Sequence, residues 1–372
     1  DCSSIIQAKN LLCQRFRNNT CMPDIAAQKI CLIRTSAIGD SVHALALVNA
    51  LRHGYPEAHF TWVLQTIPHE MLRHQPHVDA FIPFDRKGGV KDWYTLIRRL
   101  RRERFDLVIA PQASAKVSLL TFLTRGRIKI GFDWHRSREL LYLAANRHIP
   151  PRPMGHVQDQ FFEFAEFLGI QNYPVKWDFR FTQAERDWQR NFFAPIDRPV
   201  IGFVIASAHP EKDWAPASYA RVMDYADQAL GLQPMMIGGP SRREKEIADA
   251  IAGLCQCQPV TALEKPIRHT MLQLEGCRMV LSPDTGPLHI AVALGVPTIG
   301  LYGYSNPKRC GPYRFRDLLI DRYNTDEPEG APITRKTKPG RMAEIQPEMA
   351  IEKIEKALAA YPEREIREQA SP

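Results

Sequence analysis

Apolar residues along the chain fall into short unbroken runs, and most runs are followed by a stretch with helical spacing. The first run, residues 29–34 (KICLIR), has the continuous apolar character of a strand covered on both faces of a parallel sheet. It leads through Thr35-Ser-Ala-Ile-Gly-Asp40 into a helical pattern over 41–53 and then a second run at 59–64 (HFTWVL). That succession is a β-α-β unit. Further strands are expected at 80–83 and 106–110, with a very basic helix over 93–103 between them. The pattern restarts at 199–205 (PVIGFVI). Helices at 216–230, 243–254, 269–275 and 286–294 then alternate with strands at 233–237, 278–281 and 298–302. The expectation is an α/β protein with two Rossmann-like, doubly wound domains facing a central cleft. The domains are placed at 29–180 and 181–345, after an N-terminal extension over 1–28 and before a C-terminal helix and tail over 346–372. The joint is expected near 171–199, a polar stretch punctuated by Pro174, Pro195 and Pro199.

Composition adds a partner class. The 372 residues are 44% hydrophobic and 24% charged, a balance that excludes disorder for most of the chain. The formal charge is +8, and residues 1–180 carry the whole surplus, with 25 basic against 16 acidic side chains. Within 91–147 the ratio is 13 to 5, enough for a local positive field that attracts phosphate or carboxylate groups. A solvated helix face has the same composition, so charge alone leaves nucleic acid and anionic lipid both open. The eight cysteines show neither zinc-type pairing nor a disulfide framework, which favours small buried thiols in a reducing, cytoplasmic setting. No signal-peptide pattern is seen, because Lys9, Arg15, Arg17 and Asp24 break the early apolar residues. The uncharged stretch 286–304 contains Pro287, Gly295, Pro297, Gly300 and Gly303 and reads as helix, turn and strand rather than a membrane span.

Four segments can carry chemistry. In Arg34-Thr-Ser-Ala-Ile-Gly-Asp40, Asp40 emerges at the carboxyl end of a strand, where open α/β sheets bind ligands; it serves equally as a helix cap. In Ser282-Pro-Asp-Thr-Gly-Pro-Leu-His289 a helix begins beside Asp284, Thr285 and Gly286, so its amides can grip a diphosphate with His289 nearby. The same residues also suit a plain cap and a core histidine. Ser207-Ala-His-Pro-Glu-Lys-Asp-Trp214 offers Lys212 to a leaving phosphate, and Trp214 fits a core position. After Gly238-Gly239, Glu244 can accept from ribose hydroxyls or simply sit at a helix start. Neither a Walker A nor a G-x-G-x-x-G pattern is present.

Taken together, these segments resemble glycosyltransferase family 9, the ADP-heptose:lipopolysaccharide heptosyltransferases, over about residues 29–360. RTSAIGD resembles the family's opening K-T-S-x-x-G-D, S-P-D-T-G-P-L-H its D-T-G-x-x-H, and P-E-K-D-W its K-x-W. Gly131-Phe-Asp-Trp-His-Arg-Ser-Arg-Glu139 resembles the G-x-D-W-x-x-x-R-E stretch of the enzyme that adds the first heptose. The resemblance implies a GT-B fold with the acceptor on the N-terminal domain and the nucleotide sugar on the C-terminal one. It implies inverting transfer of heptose from ADP-heptose to the Kdo-lipid A inner core of lipopolysaccharide, with Asp40 as general base. Lys212, Ser207 and the Thr285-Gly286 amides would offset charge on departing ADP, with no metal and no cofactor. Glu244, Asp284 and His289 complete the implied donor site, and Lys116, Arg136 and Arg138 the acceptor site. The implied location is cytoplasmic, peripheral on the inner face of the cytoplasmic membrane, and no nucleic acid is involved. Arg34 departs from the usual Lys, Ala208 from a hydroxyl residue, and the 111–116 loop from D-x-Q-G-x-x-K. Alternative activities are transfer of another nucleotide-activated sugar, protein heptosylation, and nucleotide-sugar epimerisation on the same fold. A non-enzymatic alternative is an anionic-glycolipid binder. Residues 1–28 and 321–342 receive no role.

Overall fold

The computed structural model describes residues 25–362 apart from 86 and 138–140. Most of the 1–28 extension, Arg138 and the tail beyond 362 lie outside the described residues. Strands β1 (Lys29–Ile33), β2 (His59–Gln65), β3 (Ala80–Phe84), β4 (Arg104–Ile109), β5 (Arg125–Gly131) and β6 (Arg147–His148) form one sheet in the order β3-β2-β1-β4-β5-β6. Strands β7 (Val200–Val204), β8 (Gln233–Ile237), β9 (Val260–Ala262), β10 (Met279–Pro283), β11 (Thr298–Tyr302) and β12 (Ile320–Asp321) form the other, in the order β12-β11-β10-β7-β8-β9. Every pairing is parallel; Leu32, for example, faces Trp62 on one side and Ile109 on the other. Strands β7 and β10 are buried at every position, which is why they read as unbroken apolar runs rather than alternating ones.

The helices that matter below are α1 (Ile38–Gly54), α2 (Thr66–Leu72), α3 (Gly89–Arg102), α4 (Ala115–Leu123), α5 (Val157–Phe167), α6 (Gln183–Phe193), α7 (Pro216–Gln228), α8 (Arg242–Leu254), α9 (Ile267–Gly276), α10 (Gly286–Ala293) and α11 (Pro347–Ala360). In each sheet the first strand, β1 or β7, lies between its second and fourth, so the chain reverses its direction of travel across the sheet there. Loops leaving the carboxyl ends at such a switch point splay apart and leave a crevice. Loops of this kind, chiefly those after β1, β7, β8 and β10, line the cleft described below.

Two departures from the expected elements have clear causes. The polar stretch taken as a joint contains α6, started by a capping box in which the Thr182 amide donates to Glu185 Oε2 at 2.8 Å and the Glu185 amide to Thr182 Oγ1 at 3.3 Å. Thr182-Gln-Ala-Glu185 is a readable helix start. Strand β5 carries Arg125, Arg127 and Lys129 and is only partly buried, so it shows no apolar run.

Helices α2 and α9, from opposite halves, are joined through Arg268, which is 2% exposed. Its Nη1 donates to the carbonyls of Met71 and Arg73 at 3.1 and 3.2 Å, its Nη2 to Arg180 O and Glu185 Oε2, and its Nε to Glu185 Oε1 at 2.5 Å. One guanidinium thus ties α2, the connecting segment and α6 to α9. Burial would raise the Glu185 carboxyl, but the Arg268 hydrogen bonds, the Thr182 amide and the Arg268 charge outweigh it and bring it from 4.5 to about 2. Removing Arg268 strands a buried carboxylate and three carbonyls, so Arg268→Ala should lower unfolding stability by about 3–5 kcal/mol in urea titrations. The Glu185 contribution is fully present above pH 4.5 and lost as pH falls through about 2. Glu185→Gln should therefore flatten the acid limb of the stability curve in that window.

Candidate active site

Between the two sheets lies a cleft of about 1120 Å³, at or above the upper end of the ~300–1,000 Å³ usual for small-molecule sites. Asp40, Ser207, Lys212, Glu244, Asp284, Thr285, Gly286 and His289 all line it. Eight residues expected from four separate segments are brought to one space.

Asp40 is not the cap of α1. Ala37 occupies that position, and Asp40 sits in the first turn, its Oδ2 accepting the Ala37 amide at 3.3 Å. The same oxygen is ion-paired to Arg34, whose Nη1 donates to Pro111 O at 2.9 Å and whose guanidinium stacks over Phe161. Arg34 is buried and fixes the carboxylate's orientation, while the Asp40 side chain keeps 34% of its surface exposed toward the cleft. The departure from Lys thus gives a planar donor that bridges two loops. Gln112 Oε1 accepts from the Thr35 amide at 2.9 Å and from Thr35 Oγ1 at 3.2 Å, so the loops after β1 and β4 are laced together beside Asp40.

From the other half, Lys212 ends a short 3₁₀ turn, Pro210–Lys212, and its Nζ contacts Asp284 Oδ2 at 2.7 Å and Asp284 O at 3.2 Å. Two of its three N–H donors are engaged; the third is available to a ligand. Burial would raise the Asp284 carboxyl, yet the hydrogen bond to His289 and the Lys212 charge hold it well below the usual carboxylate range. Thr285 caps α10 and Gly286 opens it, leaving first-turn amides and the positive end of the helix directed at the cleft. Ser207 Oγ is turned onto its own loop, donating to His209 O at 2.7 Å and accepting the His209 amide at 3.1 Å. Arg243 braces this loop through Asp213 and Ser207 O. Glu244 lines the cleft but also closes a capping box: Oε1 accepts the Gly239 amide at 2.7 Å and Oε2 the Ser241 hydroxyl at 2.5 Å. Trp214 is core, 3% exposed, with its Nε1 on Ile345 O.

The two halves meet where α1 and α10 begin. A Cβ on Gly39 would lie 2.6 Å from His289 Cδ2, and one on Gly286 would lie 2.9 Å from Ile38 Cβ. Behind them His43 packs edge-on against both His289 and His156, with ring centroids 4.7 and 5.8 Å away. Burial keeps His43 well below its ordinary value, with the neighbouring His289 adding to the effect. Burial likewise brings His156 from 6.5 to about 4, despite its hydrogen bond to Gly311 O. Both rings are neutral spacers at physiological pH.

The acceptor assignments fare differently. Arg136 is not available to a ligand: it is 5% exposed, paired with Asp133 and with Glu163 at 2.6 Å, and its Nη2 donates to Pro150 O at 2.9 Å. Its guanidinium holds the Asp133 loop, a correction that positive charge in sequence could not foretell. Lys116 stands exposed in the first turn of α4, outside the lining of the main cleft, and Arg138 is outside the described residues. Arg309, which was not singled out, does line the cleft; its position just past the carboxyl end of β11 was the available signal. The described residues also bring Asp224, Cys255 and Cys257 within 4.8 Å of one another, a grouping the C-x-C spacing alone does not reveal. There Asp224 Oδ1 accepts the Gln256 and Cys257 amides at 2.8 and 2.9 Å, which accounts for the carboxylate as a loop cap.

Comparison with known proteins identifies relatives of this chain. The lipopolysaccharide core heptosyltransferase OpsX of Haemophilus influenzae is 33% identical over 340 residues, covering 89% of this chain and 97% of that protein. Among solved structures, a family 9 glycosyltransferase from Veillonella parvula superposes with a TM-score of 0.77 at 24% identity, covering 89% of this chain and 97% of the other. The E. coli heptosyltransferase WaaC with ADP gives 0.67 at 21% identity, over 88% and 99%. These two share the fold, that of two facing Rossmann-like domains. With residues 93–331 also matching the model of glycosyltransferase family 9 (heptosyltransferase), this chain belongs to that family.

Proposed function

We propose that the protein is an inverting glycosyltransferase that moves heptose from ADP-heptose to the Kdo-lipid A inner core of lipopolysaccharide. The observation that carries this reading is the convergence, in one cleft of a family 9 chain, of an oriented carboxylate from one half and a lysine plus a helix N-terminus from the other. OpsX, the relative cited above, is named a lipopolysaccharide core heptosyltransferase. Asp40 takes the proton from the acceptor hydroxyl as its oxygen attacks the anomeric carbon of the donor. The bond from that carbon to the β-phosphate oxygen breaks on the opposite face, which inverts the configuration. Charge growing on ADP is offset by Lys212 Nζ and the first-turn amides of α10. Asp284, fixed by Lys212 and His289, and Glu244 retain lone pairs for donor hydroxyls. Ser207 shapes the phosphate loop through its turn, and its hydroxyl must leave His209 O to donate to phosphate.

The N-terminal half supplies a surface for a peripheral contact with anionic membrane. Among the described residues no helix is long and apolar enough to cross a bilayer. Among the described residues, seven of the eight large hydrophobics with high exposure belong to this half, among them Val90 at 87%, Tyr94 at 63% and Phe122 at 66%. Helix α3 presents Val90 and Tyr94 together with Lys91, Arg98, Arg99, Arg101 and Arg102, and α4, which packs beside it, presents Leu119 and Phe122. Exposed apolar residues among cations suit the interface of an anionic leaflet.

Three outcomes test this reading. Asp40→Asn should reduce kcat with ADP-heptose and Kdo-lipid A by about 10²–10⁴-fold while ADP affinity stays within about twofold; turnover near wild type would sink the assignment. Lys212→Ala should lower kcat and also weaken ADP by about tenfold in calorimetry, because its charge acts on the phosphate in ground and transition states. Binding to vesicles containing anionic lipid should fall steeply as salt rises from about 0.05 to 0.5 M. It should weaken further in Val90→Ser/Tyr94→Ser, and equal binding to neutral vesicles would contradict the membrane surface. Mass analysis of the product separates heptose transfer from transfer of another sugar, and release of an altered donor without acceptor would indicate an epimerase.

A further inference from the structure

A second recess of about 210 Å³ opens on the far side of Lys212 and Asp284, which it shares with the main cleft. One wall is the segment after β11, with Ser305 and Arg309; the other is residues 334–337, part of a stretch that the sequence left without a role. That second wall is held in place by the Tyr323 hydroxyl donating to Lys336 O at 3.0 Å, the Lys338 amide donating to Tyr304 O at 3.0 Å, and the Lys338 ammonium on Asp326 and Glu327 at 2.6 Å. The recess is thus shaped before any ligand arrives.

Its chemistry is one-sided. Ser305 is 9% exposed, and its Oγ is buried without a hydrogen-bond partner although it lines the recess. Buried hydroxyls are rarely left so, and an orphan at a cavity wall calls for a partner from the cavity, a water, an ion or a ligand group. Among the described residues, the guanidinium of Arg309 and the ammonium of Lys336 form no ion pair. Lys212 and Asp284 neutralise each other at the floor, so the net charge facing the recess is positive. Arg309 also lies near enough to Arg34, the residue that holds Asp40, for its charge to act there. The recess therefore adjoins the point where the acceptor hydroxyl would meet the donor.

We propose that this recess is an anion-binding subsite that takes a carboxylate or phosphate group, with Arg309, Lys336 and Ser305 Oγ as its donors. The inference rests on the transferase reading for its purpose: the anion belongs either to the sugar acid of the acceptor or to the nucleotide. Two cations and a hydroxyl around one small space exceed what a neutral sugar needs, and charge-assisted hydrogen bonds to an oxyanion use all three.

The test is calorimetry on the full chain with free Kdo in the presence of ADP, and separately with ADP alone, for wild type and Arg309→Gln/Lys336→Gln. If the anion is the acceptor's, the double variant should bind Kdo about tenfold more weakly with ADP affinity unchanged, and Arg309→Lys/Lys336→Arg should recover most of the loss. If it is the nucleotide's phosphate, ADP affinity should drop by a similar factor and Kdo binding should not. Unchanged affinity for both, in a variant whose thermal midpoint matches wild type, overturns the subsite. Because these readouts need no turnover, a wild-type protein that binds ADP and Kdo as described yet transfers no heptose would count against the proposed function and leave the subsite standing.

Discussion

The close approach of the N-termini of α1 and α10 is the constraint on which the rest of the molecule depends. Gly39 lies under the His289 ring and Gly286 against Ile38, so the helix that follows Asp40 and the helix that follows Asp284 begin almost in contact. Any side chain at either glycine would push the two halves apart. Asp40 and Lys212 line one cleft because backbone from each half lies against a side chain of the other. The buried, neutral imidazoles of His43 and His156 fill the space behind this contact without adding charge to it.

Parallel pairing explains why so few short segments make the site. The two halves repeat one six-strand order, and in that order the loops beside the central strand all open at one end. The two walls of the cleft are therefore the same device facing itself. What differs is the polarity of its lining: an oriented carboxylate on one half, and on the other a lysine, helix amides and a carboxylate already neutralised by that lysine. This asymmetry keeps Asp40 and Lys212 on separate walls of one cleft.

Much of this was legible in the sequence, for a physical reason. Strands covered on both faces must be apolar throughout, so β1, β7 and β11 announced themselves, and the polar residues just beyond them had to be loop residues at strand ends. Asp40, Lys212 and Asp284 are read from such positions, and all three line the cleft. Arg136 was misjudged because a charged letter carries no information about burial; only its partners, Asp133 and Glu163, make it scaffold. Helix α6 hid in a polar stretch although Thr182 and Glu185 spelled its start. Arg309 and the 334–337 wall were illegible because their meaning comes from a cavity between segments distant in the chain. Glu244 shows a residue that satisfies a local role and faces the cleft at once, which no spacing rule separates.

The Arg268 cluster has a bearing on how such a molecule can move. It ties α2 to α9, and both helices contribute to one part of the cleft lining through Thr66, Glu70, Ile267 and Thr270. A second tie joins the halves where His156 reaches Gly311 O and Tyr313 reaches Asp159. Pulling the lobes straight apart would strand several carbonyls and a carboxylate at once, so separation is opposed at two places. The spacing of the cleft walls is thereby set by side chains that lie outside the cleft itself.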